Sequence, residues 1–154
     1  MKNYLSIAGL LFFISCSPID LFQKTAVIPA QQWFYNNKPE FTIAINDTTA
    51  LYNVFVVLRH TDAYKYSNIW LNLGSKAPGD TMRYQNINLT LSNDIKGWEG
   101  VGMDDIFEVR KNITPGPVTF TKPGNYLFSV AQIMRENPLQ HILNVGIRIE
   151  KVKQ

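Results

Sequence analysis

Two histidines, His60 and His141, and four acids at Asp94, Glu99, Asp104 and Asp105 are the residues whose types and spacing could support acid–base or metal chemistry in this chain. A serine hydrolase needs a histidine beside a nucleophile held on a G-x-S-x-G elbow, and neither histidine has that context. His60 ends an apolar run and His141 begins one, which predicts surface or edge positions. Glu99 with Asp104 or Asp105 forms the one dense acidic cluster, but acids are favourable in the first turn of a helix without any reaction. With Asp94 they offer the several oxygens calcium wants, yet the D-x-[DN]-x-[DN]-G register is absent. There is no phosphate loop and no dinucleotide fingerprint. No catalytic residue, metal or cofactor is therefore expected, and the chain does not read as an enzyme.

The chain's single cysteine, Cys16, carries the clearest chemistry. Met1-Lys2-Asn3-Tyr4 gives a short basic start, Leu5 to Ile14 an apolar run, and Ser15 a small residue before Cys16. That order describes a secretory signal peptide over 1–15, and the run is far short of the ~20 residues a spanning helix needs. Phe13-Ile14-Ser15-Cys16 resembles the bacterial lipobox, with Phe13 where Leu is usual. The resemblance implies a thioether-linked diacylglycerol on Cys16, which becomes the first residue of the mature chain. Two or three acyl chains anchor stably where one does not. Lipidation would also consume the only thiol, and loss of Lys2 leaves 14 basic against 12 acidic residues, a net charge of +2.

These residues need a scaffold, and the rest of the sequence supplies a β pattern. The 154 residues are one domain's worth, and with 45% hydrophobic, 12% aromatic and 18% charged residues the chain is neither disordered nor collagen-like. A net charge of +3 with scattered basic residues leaves no footprint for nucleic acid. Residues 16–35, interrupted by Pro18 and Pro29, read as a tether, and 36–154 as the folded domain. Phe41–Ile45, Leu51–His60, Ile69–Leu73, Met82–Leu91, Val118–Phe120, Tyr126–Ala131 and Leu143–Glu150 show strand patterns bounded by turn residues. Apolar residues on both faces of 51–60 suggest a central strand. About seven strands at this spacing predict a mainly β fold, an antiparallel sandwich of immunoglobulin-like or jelly-roll-like type. Over 94–112, Gly97, Gly100 and Gly102 suggest a loop, and Met103, Ile106, Phe107 and Arg110 fit one short helix.

Aromatic residues are the candidate contacts. Trp98, within the Gly-rich stretch, serves either as a plug over the end of the core or as an exposed anchor. Tyr64, Tyr66 and Trp70 could form a binding platform of the kind seen in sugar-binding sandwiches, or pack at strand ends. Asp47-Thr48-Thr49 and Asp80-Thr81-Met82 resemble the O-glycosylation sequon of exported Bacteroidetes proteins, although Asp-Thr is common in turns.

The chain resembles the gliding-motility lipoprotein GldH family of the Bacteroidetes in four stretches. They are the segment ending at Cys16; Tyr52–His60 leading to Tyr64, Tyr66, Asn68 and Trp70; Gly97–Gly102 with Asp105-Ile106; and Pro123–Phe128 through Gln132, Met134-Arg135, Leu139 and Val145–Glu150. The resemblance implies a non-enzymatic scaffold or assembly factor of the gliding apparatus, linked to type IX secretion. Only Cys16 carries a role over from it. The partners implied are the membrane, through the lipid, and other gliding or secretion envelope proteins. Ser17–Lys24 holds one acid and one base, which favours the periplasmic leaflet of the outer membrane over the cell surface. A lipid-anchored ligand- or glycan-binding module is the alternative.

Overall fold

The computed structural model describes residues 21–152. Cys16, the expected signal peptide and the start of the expected tether lie outside them. Thirteen strands follow in order: β1 Leu21–Val27, β2 Gln32–Trp33, β3 Glu40–Ile45, β4 Tyr52–Thr61, β5 Asn68–Lys76, β6 Arg83–Thr90, β7 Ser92–Asn93, β8 Gly97–Trp98, β9 Val101–Met103, β10 Ile106–Asn112, β11 Gly124–Gln132, β12 Leu139–Gln140 and β13 Ile142–Lys151. The long strands form two antiparallel sheets, ordered β1-β13-β4-β10-β9 and β3-β11-β5-β6. Successive long strands pass repeatedly between the sheets, and the last strand inserts between the first and the fourth. This is the double Greek-key connectivity of a jelly roll. The sandwich expectation therefore resolves to its jelly-roll form.

Period-two alternation fixes what faces the core. Along β4, Tyr52, Val54, Val56, Leu58 and His60 point inward, and along β11 Tyr126, Phe128 and Val130 do so. Ile69, Leu71 and Leu73 of β5, in the sheet of β11, face Ile147 and Ile149 of β13, in the sheet of β4, all buried. β4 is the central strand of its sheet, as its two apolar faces predict. Val57, on its outer face, is also buried.

Residues 118–120, expected as a strand, make only a single bridge of Val118 to Tyr52, and two further segments depart from the sequence reading. Residues 21–27, placed in the tether, form edge strand β1 along β13. Its apolar pattern is sparse because only Phe22 and Ala26 pack on the core. Lys24 turns across the sandwich instead, donating to the Thr42 carbonyl at 3.1 Å with its ammonium 5.3 Å from the Phe22 ring centre. β1 approaches β13 closely at Gly146, where a Cβ would stand 2.3 Å from the Lys24 carbonyl oxygen.

The second departure is the short helix expected near 94–112. Asp104 and Asp105 are the two-residue turn of a hairpin, with Met103 paired to Ile106 and Asp104 at φ 55°. Such turns need positive φ, which Asp tolerates better than most residues. Gly100 precedes the hairpin at φ 93°, and a Cβ there would meet the Glu108 carbonyl at 2.1 Å.

Candidate functional site

The candidate residues separate into a closed end and an exposed face. Turn Thr61–Tyr64 and the β7–β8 hairpin bring Tyr64 and Trp98 over His60 at one end of the sandwich. His60 is 0% exposed, which corrects the surface or edge position expected for it. Trp98 meets its ring edge-on at 4.6 Å between centroids, Phe107 stacks at 5.8 Å, and Tyr64 lies 5.5 Å away. Nδ1 of His60 lies 2.8 Å from the Thr61 carbonyl, so Nδ1 carries the proton. Nε2 is left without a partner among the described residues. Burial lowers the His60 pKa from its ordinary value, partly opposed by the bond to Thr61.

Tyr64 is buried, and its hydroxyl donates to the Asn68 carbonyl at 3.0 Å. Burial first, then the nearby Tyr66 and Glu136, pushes its pKa well above the usual phenol range. Tyr66, half-buried and edge-on to Tyr64 at 5.7 Å, donates to the Glu136 carboxylate at 3.2 Å. Tyr64 and Trp98 thus close the end of the core, and Tyr66 links that closure to the outer surface.

Trp70 stands apart. It lies on the outer face of β5, between Asn68 and Asn72, and is 43% exposed. The 133–136 segment is held beside it from within. Buried Gln132 donates to the Trp33 carbonyl at 3.1 Å and the Glu136 carbonyl at 3.2 Å, and accepts from the Met134 N–H at 2.8 Å. Ile133, 40% exposed, then donates its N–H to the Trp70 carbonyl at 3.0 Å, and the Trp70 N–H reaches Met134 Sδ at 3.1 Å. Tyr35 completes the patch, its hydroxyl donating to the Met134 carbonyl at 2.6 Å. The result is an apolar patch of Trp70, Ile133, Met134 and Tyr35 bordered by Lys38 and Arg135.

Neutral amides flank Trp70 on the other side. Asn68 donates to Asn88, and Asn72 to Asn86, each at 2.7 Å across β5 and β6. The alternation of Ile69, Leu71 and Leu73 with Asn68, Trp70 and Asn72 already carried the signal that Trp70 faces outward. Tyr35, Ile133 and Met134 gave no such signal, because two loops far apart in sequence bring them together.

The acids expected as a cluster are separated. Asp94 is exposed, Glu99 pairs with Lys111, and Asp104 and Asp105 make the hairpin turn. Among the described residues no group of His, Cys, Asp or Glu is placed to hold a metal ion. Asp47 sits in an Asx turn, accepting from the Thr49 N–H at 2.9 Å and the Lys151 ammonium at 2.7 Å.

The two sheets in jelly-roll order, with Tyr64 and Trp98 over one end and Trp70 facing outward, define a small jelly-roll β-sandwich domain. The sequence profile of the GldH lipoprotein family matches residues 20–149, and the chain belongs to that family. It is 26% identical to the gliding motility lipoprotein GldH homolog of Christiangramia forsetii, over 96% of this chain and 94% of that one. It is 27% identical to the gliding motility lipoprotein GldH of Flavobacterium johnsoniae, over 97% and 96%. Among solved structures, the insecticidal delta-endotoxin Cry8Ea1 of Bacillus thuringiensis superposes with a TM-score of 0.45 and 13% identity, over 76% of this chain and 18% of the toxin. A superposition that loose supports nothing further.

Proposed function

We propose that the protein is a scaffold or assembly lipoprotein of the gliding-motility apparatus, anchored through Cys16 to the periplasmic leaflet of the outer membrane and acting with type IX secretion. Membership of the GldH lipoprotein family along nearly the whole chain supports the gliding assignment. The docking part of the reading rests on one observation, the exposure of Trp70 beside Ile133, Met134 and Tyr35. Interface energy concentrates at buried aromatic anchors framed by a polar rim, and a large aromatic in a rigid sheet face orders at little entropic cost. The reading is tested by deletion and complementation. Loss of gliding or of type IX secretion, restored by the wild-type chain but not by Trp70→Ala, is expected; full motility and secretion in the deletion would refute it.

A second reading is favoured by the amide ladder. Asn is depleted in strands, yet four Asn side chains surround Trp70 on β5 and β6 and leave amide groups facing solvent. A flat indole beside neutral hydrogen-bonding groups suits the apolar face and hydroxyls of a sugar ring. Under this reading Trp70→Ala abolishes retention of the full-length protein on a neutral-glycan array, whereas an assembly factor shows no retention to begin with.

A further inference from the structure

The two ends of the sandwich differ. Trp98 closes one, and the other opens into a cavity of about 430 Å³ between the sheets, within the usual range of small-ligand sites. Val54 and Ile147 of one sheet face Leu73 and Phe128 of the other across it, and Phe120 forms part of the wall. The core face of β6 changes character along its length. Leu89 is buried and Ile87 half-buried, but the next two positions on that face are Gln85 and Arg83, beside Leu73 and Ser75 of β5.

Arg83 keeps the core-face parity of β6 but is exposed, so its charge stands at the mouth of the cavity rather than in the core. Inward charges guard sheet edges against unwanted pairing, and Lys24 on edge strand β1 shows that use, its ammonium bound to the Thr42 carbonyl. Arg83 has no such bond among the described residues. The acid at the mouth, Asp80, is held by Lys122 at 2.8 Å, and Arg83 acts on it only through space. Lys76, also at the mouth, has no ion pair among the described residues. Three cations against one acid give the opening a net charge of +2 over an apolar floor.

We propose that this open end binds a single-chain anionic amphiphile, its acyl chain lying between the sheets against the half-buried Ala77, Ile113 and Val118 over the edges of Phe120 and Phe128, and its carboxylate meeting Arg83 and Lys76. The apolar floor removes the chain from water, and the unanswered cations select an anionic head. The site lies at the opposite end of β5 from Trp70, so it is independent of the docking face.

The test uses the full-length protein reconstituted in phosphatidylcholine nanodiscs and photolysed with a diazirine-bearing, alkyne-tagged palmitic acid, the adducts being mapped by mass spectrometry. Adducts are expected in peptides spanning 73–83 and 113–128, competed away by excess unlabelled palmitate. Lys76→Glu with Arg83→Glu, both exposed and therefore compatible with folding, is expected to lower them by about tenfold, as is replacing the probe's carboxyl by an alcohol. An unchanged circular-dichroism melt shows that the variant remains folded. Adducts spread over the exterior, adducts that palmitate does not compete, or equal labelling by the alcohol probe or in the charge-reversed variant would overturn the proposal.

Discussion

The indole of Trp98 meets the imidazole of His60 edge-on, 4.6 Å between centroids, and the pair seals one end of the jelly roll. The contact joins the C-terminal end of the central strand's core face to a two-residue strand 38 positions later, so the closure depends on a small hairpin holding its place.

Removing the indole leaves the His60, Tyr64 and Phe107 rings without their cover. Trp98→Ala is expected to destabilise the fold by about 2–4 kcal/mol, at or just below the usual cost of truncating a large core aromatic because Trp98 is only half-buried. Urea unfolding of wild type and variant measures it; a loss under about 0.5 kcal/mol, typical of surface changes, would show that Trp98 closes nothing.

His60 gives the fold a pH dependence of defined sign. Its folded pKa is depressed by burial, so below about 6.5 the unfolded chain takes up a proton that the folded chain refuses. Stability is complete above that pH and falls as pH drops toward the folded pKa, by at most about 1.4 kcal/mol per pH unit. Carboxylates held low, such as Asp47 by Lys151 and Thr49, lose their contribution only as pH falls below about 4, so the window from 7 to 5 isolates the histidine. Thermal melts across that window should slope for wild type and flatten for His60→Leu; equal slopes would contradict the assignment.

Gly146 permits the close approach of β1 to β13. Gly146→Val would drive a side chain into the Lys24 carbonyl and Thr25, costing about 2 kcal/mol or displacing the edge strand. Hydrogen exchange should show lost protection over residues 21–27 while β4 stays protected; unchanged protection of β1 would contradict the packing.

Cys16 is expected to carry the lipid. Labelled palmitate should enter the wild-type chain and be absent from Cys16→Ala, and incorporation surviving that substitution would refute the assignment.

The strands with regular alternation, Phe41–Ile45, Tyr52–His60, Ile69–Leu73, Ile87–Leu91 and Tyr126–Val130, were legible because one face of each is buried and a one-residue slip would expose the whole apolar set. β1 was not, because an edge strand with Lys24 turned inward has little alternation to read. β10 reads as a helix in the sequence because Met103, Ile106, Phe107 and Arg110 share a helical spacing, while the positive φ of Asp104 in the hairpin turn is set by the paired strands around it. Tyr64, Tyr66 and Trp70 looked like one platform because they are near in sequence. The turn before β5 sends Tyr64 inward and the alternation of β5 sends Trp70 outward. The burial of His60 has a related cause: a histidine at the end of an apolar run is on the core face whenever it keeps the parity of Val54, Val56 and Leu58.

The docking role of Trp70 is tested most directly by placing a photo-crosslinking amino acid at position 70 of the full-length protein in its native envelope, with Asn125 as an exposed control position. A discrete adduct with another protein of the gliding or secretion apparatus at position 70, absent at 125, is the predicted result. Equal or absent crosslinking at both positions in cells that still glide and secrete would contradict it.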